Sequence, residues 1–253
     1  MPLGGLQQRI EAERARPPAP TRAWYWTLGF GMVVLAFGAW LTQIFPQTGH
    51  DIAPGYGAPV LAFEFAGGQA DLEAIFGVES DPQQVARLAA MRTGNERDYL
   101  YMLLYAGFLG GGCIALWREL RLRALLAATL LPLAAALCDA YENWLLFDIQ
   151  AAFTAGDYSP AMASLPYPVA AKFVLLALTN VAIGAAATQL GRWWALFGLL
   201  AILAAIPTAM AIITPAAFAW TLIPSAAAGW LLLLALAVAG SWQGFVRSRP
   251  LAG

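Results

Sequence analysis

Histidine is almost missing from this chain: His50 is the only one in 253 residues. A single imidazole excludes bis-histidine haem ligation, HExxH zinc chemistry and, within an apolar bundle, Ser-His-Asp catalysis. Cysteine is nearly as scarce. Cys113 and Cys138 both sit in apolar runs, which reads as reduced, buried side chains rather than a disulfide. Lysine occurs once, at Lys172, and no lysine lies in the last apolar run, which argues against a retinal protein. No GxxxxGKS/T, GxSxG or CxxC motif is present, so a nucleotide loop, an esterase elbow and a dithiol site all lack support. Charge of either sign is thin, at 11% of residues with a formal net charge of −1. That gives no basic footprint for a nucleic-acid partner.

What is abundant is apolar. Hydrophobic residues make up 60% of the chain and mean hydropathy is +0.63. A soluble domain has about 45–50% apolar and about 25% charged residues. The composition therefore points to an integral membrane protein and to a lipid bilayer as its surroundings. Six apolar runs, at about 24–45, 98–117, 124–147, 169–190, 193–213 and 216–240, are each suited to a hydrocarbon core of ~30 Å. The expected fold is all-α: an integral membrane bundle of six transmembrane helices with a small helical extracytoplasmic cap.

Residues 1–22 read as a polar cytoplasmic tail, and 23–253 as a six-span membrane domain that includes the 46–97 loop. Leu3, Leu6 and Ile10 share a helical face that Pro17-Pro18-Ala19-Pro20 would end, but a frayed tail is the preferred reading. The polar start is long for a secretory signal and no Ala-x-Ala site follows, so the first span is expected to be retained. Within 46–97, residues 60–65 suit a short helix or an interfacial segment, and 69–76 suit a turn or two of helix. Ser80-Asp81-Pro82 suits the start of a second cap helix. Arginine placement sets the orientation. With the N-terminus inside, ten basic residues flank cytoplasmic ends and four, Arg87, Arg92, Arg97 and Lys172, lie outside. The positive-inside rule then puts both termini in the cytoplasm. Trp24, Trp26, Trp117, Trp193, Trp194 and Trp242 fall near span ends, as interfacial anchors do.

The exceptional stretch is Leu137-Cys138-Asp139-Ala140-Tyr141-Glu142-Asn143-Trp144 in the third run. Helical spacing puts Asp139, Glu142 and Asn143 at i, i+3 and i+4, on one face. Ionisable groups at membrane depth are costly and face protein or water. The fourth run returns antiparallel and brings Lys172 to similar depth, with Thr179 and Asn180 on the same face. Asp98, Tyr101 and Tyr105 share a face of the second run near the same leaflet. These residues form a candidate polar intramembrane site, roofed by the acidic loop. Two carboxylates beside one lysine leave negative charge in excess, so a proton, a cation or a second donor is needed. A satisfied structural network, a ligand, ion or proton site, and a catalytic acid–base pair all remain open. No metal or cofactor is assigned: two carboxylates and an amide make an incomplete cage. Pro207 and Pro224 are expected to kink the outer halves of the last two spans.

The segment Leu61-Ala62-Phe63-Glu64-Phe65-Ala66, then Asp98-Tyr99-Leu100-Tyr101 with Tyr105, then Asp139-Ala140-Tyr141-Glu142-Asn143 resembles an uncharacterised group of bacterial multispanning membrane proteins. That group joins an acidic apolar outer loop to a D-x-x-E-N span. The resemblance covers residues 50–150 and implies no activity. The expected place is a bacterial inner membrane. The leading functional expectation is a membrane-integral accessory or binding protein, possibly within a larger complex. An ion- or proton-coupled carrier and a lipid-acting enzyme are the alternatives.

Overall fold

The computed structural model describes residues 22–248, with side chains described through residue 242; the polar tail before it lies outside the described residues. Among the described residues there is no strand, and six helical segments are long and apolar enough to cross a membrane. The chain is a multi-pass α-helical membrane protein. Its first span is α1 (Arg22–Leu41). Two cap helices follow, α2 (Pro59–Glu64) and α3 (Gln69–Phe76). The second span is α4 (Gln84–Leu120), and the third joins α5 (Arg123–Ala128) to α6 (Leu130–Ala155). The fourth is α7 (Pro166–Ala187), and the fifth joins α8 (Arg192–Leu203) to α9 (Ala205–Ile213). The sixth comprises α10 (Pro215–Phe218), a 3-10 turn (Ala219–Thr221) and α11 (Leu222–Ser248).

Two spans are longer than the sequence led us to expect, and their excess length builds the cap. The helix starting after Ser80-Asp81-Pro82 does not stop before Asp98; it is continuous with the second span over 37 residues. At 1.5 Å per residue that is about 56 Å, well beyond a ~30 Å hydrocarbon core. No proline interrupts it, and Gly94, its one early glycine, is filled from outside by the Phe45 ring, 2.4 Å from where a Cβ would stand. The third span likewise runs past Phe147 to Ala155, where Gly156 at φ 75° ends it in the left-handed region that glycine favours. These two extensions and the cap helices enclose a second apolar core around Phe63, Ile75, Phe76, Leu146, Ile149 and Phe153. Phe76 meets Phe63 edge-on with ring centroids 5.1 Å apart and Phe153 at 5.6 Å.

Prolines account for the broken spans. Pro132 has no N–H for the Ala128 carbonyl, and the third span breaks at Thr129. Pro207 does the same to Leu203, and the fifth span breaks at Ala204. Pro224 behaves differently from expectation. It sits in the first turn of α11, where an N–H has no helical partner to lose, so it starts the helix instead of kinking it. The Thr221 hydroxyl lies 3.1 Å from the Pro207 carbonyl and 2.8 Å from that of Phe218, tying the two interruptions together.

Successive spans pack as neighbours from α1 through α8, and α11 closes the bundle against α1, α7 and α8. Where α7 crosses α8, Gly184 and Gly198 face each other. A Cβ on either would stand 2.5 Å from the other's carbonyl oxygen, so only glycine permits that approach. Trp24, expected as an interfacial anchor, is buried instead: its ring covers Gly240 and its Nε1 donates to Glu119 Oε1 at 3.1 Å.

Candidate functional site

Lys172 is the hub of the polar cluster. Its Nζ lies 2.8 Å from Glu142 Oε1, 3.1 Å from Asp139 Oδ1 and 3.2 Å from Glu64 Oε2. The contact to Glu142 is a hydrogen bond from the ammonium, and those to Asp139 and Glu64 are ion-pair contacts. The i, i+3 spacing on α6 delivers Asp139 and Glu142, the antiparallel α7 delivers Lys172, and Glu64, the last residue of α2, reaches in from the cap. The Asp139, Glu142 and Lys172 side chains are buried, and that of Glu64 is partly buried. Burial pushes the Glu64 carboxyl above its ordinary range, against the pull of Lys172.

The rest of the expected constellation splits in two. The Tyr105 hydroxyl donates to Asp139 Oδ2 at 3.0 Å. Asn143 Nδ2 donates to Asp98 Oδ2 at 3.1 Å and to the Asn95 carbonyl at 3.2 Å, joining α6 to α4. The site is therefore two groups side by side on α6, Lys172 with Glu142, Asp139, Glu64 and Tyr105, and Asn143 with Asp98 and Asn95. Asn180 stands apart from both. Its Nδ2 donates to the carbonyls of Ser225 and Ala226 at 3.2 and 3.3 Å, which locks α7 to α11. Gly229 makes that possible, because a Cβ there would lie 2.2 Å from Asn180 Oδ1. The Thr179 hydroxyl is spent on the Leu175 carbonyl.

Beside the network lies a cleft of about 400 Å³, walled by α1, α2, α4, α6, α7 and α11. Its polar end is Glu64, Asn95, Asp98, Asp139, Asn143 and Lys172. Its remaining surface is mainly aliphatic and aromatic, including Val34, Leu176, Tyr101 and Trp230. Leu35 on α1 and Ile223 and Leu231 on α11 line the mouth and are exposed, so the cleft opens sideways between the first and sixth spans. At their other ends these two spans are closed, with Gly31 against Leu234 and Gly240 against Trp24.

Three participants escaped the sequence reading: Glu64, Asn95 and Trp230. For Glu64 the signal was a lone acid inside the apolar Leu61–Ala66 stretch. Asn95 Nδ2 is buried without a hydrogen-bond partner, and so are Trp230 Nε1 and Glu142 Oε2. Trp230 belongs to the buried apolar core and lines the cleft at 7% exposure. His50 is a loop residue whose Nδ1 lies 2.8 Å from Asp81, far from the network in sequence and in partners.

Chemically, the arrangement favours holding over reacting. The Lys172 ammonium stands at the centre of its three carboxylates, the place that a metal ion would need. Among the described residues no group of three or more carboxylate, imidazole or thiolate ligands is arranged to hold a metal ion. Three carboxyl groups, Glu64, Asp98 and Asp139, and one ammonium line the cleft, so carboxyl groups are in excess at its polar end. Comparison with family models, with curated proteins and with solved structures gives no match for this chain.

Proposed function

We propose that this chain is a membrane-integral binding protein of a bacterial inner membrane that holds an apolar-bodied ligand in the cleft between its first and sixth spans. It serves alone or as the accessory subunit of a larger inner-membrane complex. The observation that carries the reading is the cleft itself: about 400 Å³, open sideways, apolar along its length and polar at one buried end. Ligand sites have this character, at roughly 300–1,000 Å³. Lys172, enclosed by its three carboxylates, offers no free nucleophile, which supports binding over catalysis.

Both termini are assigned to the cytoplasm and the cap to the outside, on the ten-to-four distribution of basic residues. The D-x-x-E-N resemblance supports the bacterial assignment and carries no activity. No nucleic-acid partner is proposed. A second reading, an ion- or proton-coupled carrier, is favoured by one observation, the excess of carboxyl groups over the single ammonium at the cleft. A lipid-acting enzyme ranks below both.

The test uses Trp230 as reporter. In bilayers of chain-brominated phosphatidylcholine, the wild-type chain is expected to show quenching that the Trp230→Phe variant lacks, and Ala227→Phe, which fills the cleft from α11, should abolish that difference. Quenching of Trp230 that Ala227→Phe leaves untouched would remove the binding reading. Extraction in mild detergent addresses the accessory role: a clean monomer counts against it. Flux of protons or cations in vesicles that disappears in Asp139→Asn/Glu142→Gln would favour the carrier instead.

A further inference from the structure

The cleft is distinctive in what it offers a ligand's head. Asp98 is partly exposed, and only its Oδ2 is engaged, by Asn143. Glu64 gives Lys172 its Oε2 and has 12% of its side chain exposed. Both carboxylates line the cleft. No free cationic group accompanies them there, since Lys172 is already enclosed. A head ending in a phosphate or carboxylate, with no ammonium of its own, would meet acid on two sides.

Beside these acids stand three aromatic rings, Tyr101, Tyr105 and Trp230. Their centroids lie 5.8 Å, 6.1 Å and 5.9 Å apart in pairs, and the planes are inclined by 39–74°. All three line the cleft. Mutually inclined aromatic faces next to carboxylates form the environment that attracts an alkylammonium, through cation–π and Coulomb attraction together. One buried donor is left over. Asn95, 1% exposed, lines the cleft with its Nδ2 unpartnered, and suits an oxygen acceptor close to the ammonium. The apolar remainder and the sideways mouth, rimmed by Leu35, Ile223 and Leu231, suit an alkyl chain entering from the bilayer.

From this juxtaposition we infer that the ligand is an amphiphile with an alkylammonium head, seated with the ammonium between Asp98, Glu64 and the Tyr101–Tyr105–Trp230 rings and the chain lying between the first and sixth spans. The inference rests on the proposed binding role of the cleft and adds the chemical class of its occupant. The same chemistry is available from a bilayer lipid with an amine head and from a free long-chain amine.

The test compares three mid-chain-brominated sixteen-carbon probes, an amine, an alcohol and a carboxylic acid, added to the full chain in phosphatidylcholine nanodiscs. Quenching is taken as the difference between wild type and Trp230→Phe. The amine is expected to half-saturate at a concentration at least tenfold below that of the alcohol. Asp98→Asn and Glu64→Gln should each raise the amine value several-fold and leave the alcohol value unchanged, with a retained cooperative unfolding transition in each variant reporting intact folding. Replacing part of the phosphatidylcholine by phosphatidylethanolamine separates the sources: competition with the amine assigns the bilayer lipid, and its absence assigns a free amine. Equal half-saturation by amine and alcohol, or tighter binding of the acid, overturns the alkylammonium inference while the cleft stays a binding site. Quenching by none of the three overturns both.

Discussion

At the scale of single residues, the cluster depends on Lys172. Removing one partner of a buried ion pair leaves uncompensated charge and costs about 3–5 kcal/mol. Lys172→Met, which strands three carboxylates, is expected to fall in that range in equilibrium unfolding. Tyr105→Phe removes one hydrogen bond to a carboxylate and should cost about 1.5–3 kcal/mol. A smaller loss for Lys172→Met than for Tyr105→Phe would mean that the ammonium is not the hub. Much of this was legible from spacing. Asp139 and Glu142 share a helical face by arithmetic, and an antiparallel neighbour brings Lys172 to their depth. Glu64 was not, because no local pattern says that a cap helix dips its last side chain into a bundle. Asn180 shares the face of Lys172, as its spacing required, yet bonds to α11. Which neighbour a face meets is decided by tertiary packing, here by the glycine at 229.

At the scale of elements, the cap is an outgrowth of the spans. The apolar run of the second span begins only at about Asp98, after the charged Glu96 and Arg97, yet α4 is one helix from Gln84 to Leu120. Nothing in that stretch breaks a helix, and polar residues on the exposed turns of a continuous helix look the same as polar residues in a loop. Asp81 clamps the base of this arrangement. Its carboxylate accepts the Gln83 backbone N–H at 2.8 Å and pairs with Arg87 at 2.6 Å and with His50 at 2.8 Å. The backbone hydrogen bond first, then Arg87, hold its carboxyl below the usual aspartate value of 3.8. A depressed value stabilises the fold fully above the ordinary one and is lost as pH falls through the depressed one. Hydrogen exchange over 46–83 should therefore be flat with pH, after correction for intrinsic rates, down to about 4, and accelerate below it. Asp81→Asn should show the faster exchange at neutral pH, and an unchanged profile in that variant would exclude the clamp. Gly94→Val offers a second check on the same element. It meets the Phe45 ring at 2.4 Å, so it should loosen 46–83 while leaving the α7–α8 crossing protected.

At the scale of the whole molecule, six apolar runs and their turn signals gave the bundle, because hydrocarbon admits few solutions to backbone hydrogen bonding. The cleft was illegible for the opposite reason. It exists because α1 and α11 touch at one end and part at the other, and no periodicity within either helix records that divergence. Cap, spans and cleft meet at one contact, the carboxylate of Glu64 on the ammonium of Lys172. The central claim is that this contact is made across the boundary between cap and bundle, and a double-mutant cycle in equilibrium unfolding tests it most directly. If Glu64 is a counter-ion of Lys172, the penalty for Lys172→Met falls by at least about 1 kcal/mol in the Glu64→Gln background, because one stranded charge is gone. An identical penalty in both backgrounds would contradict the account.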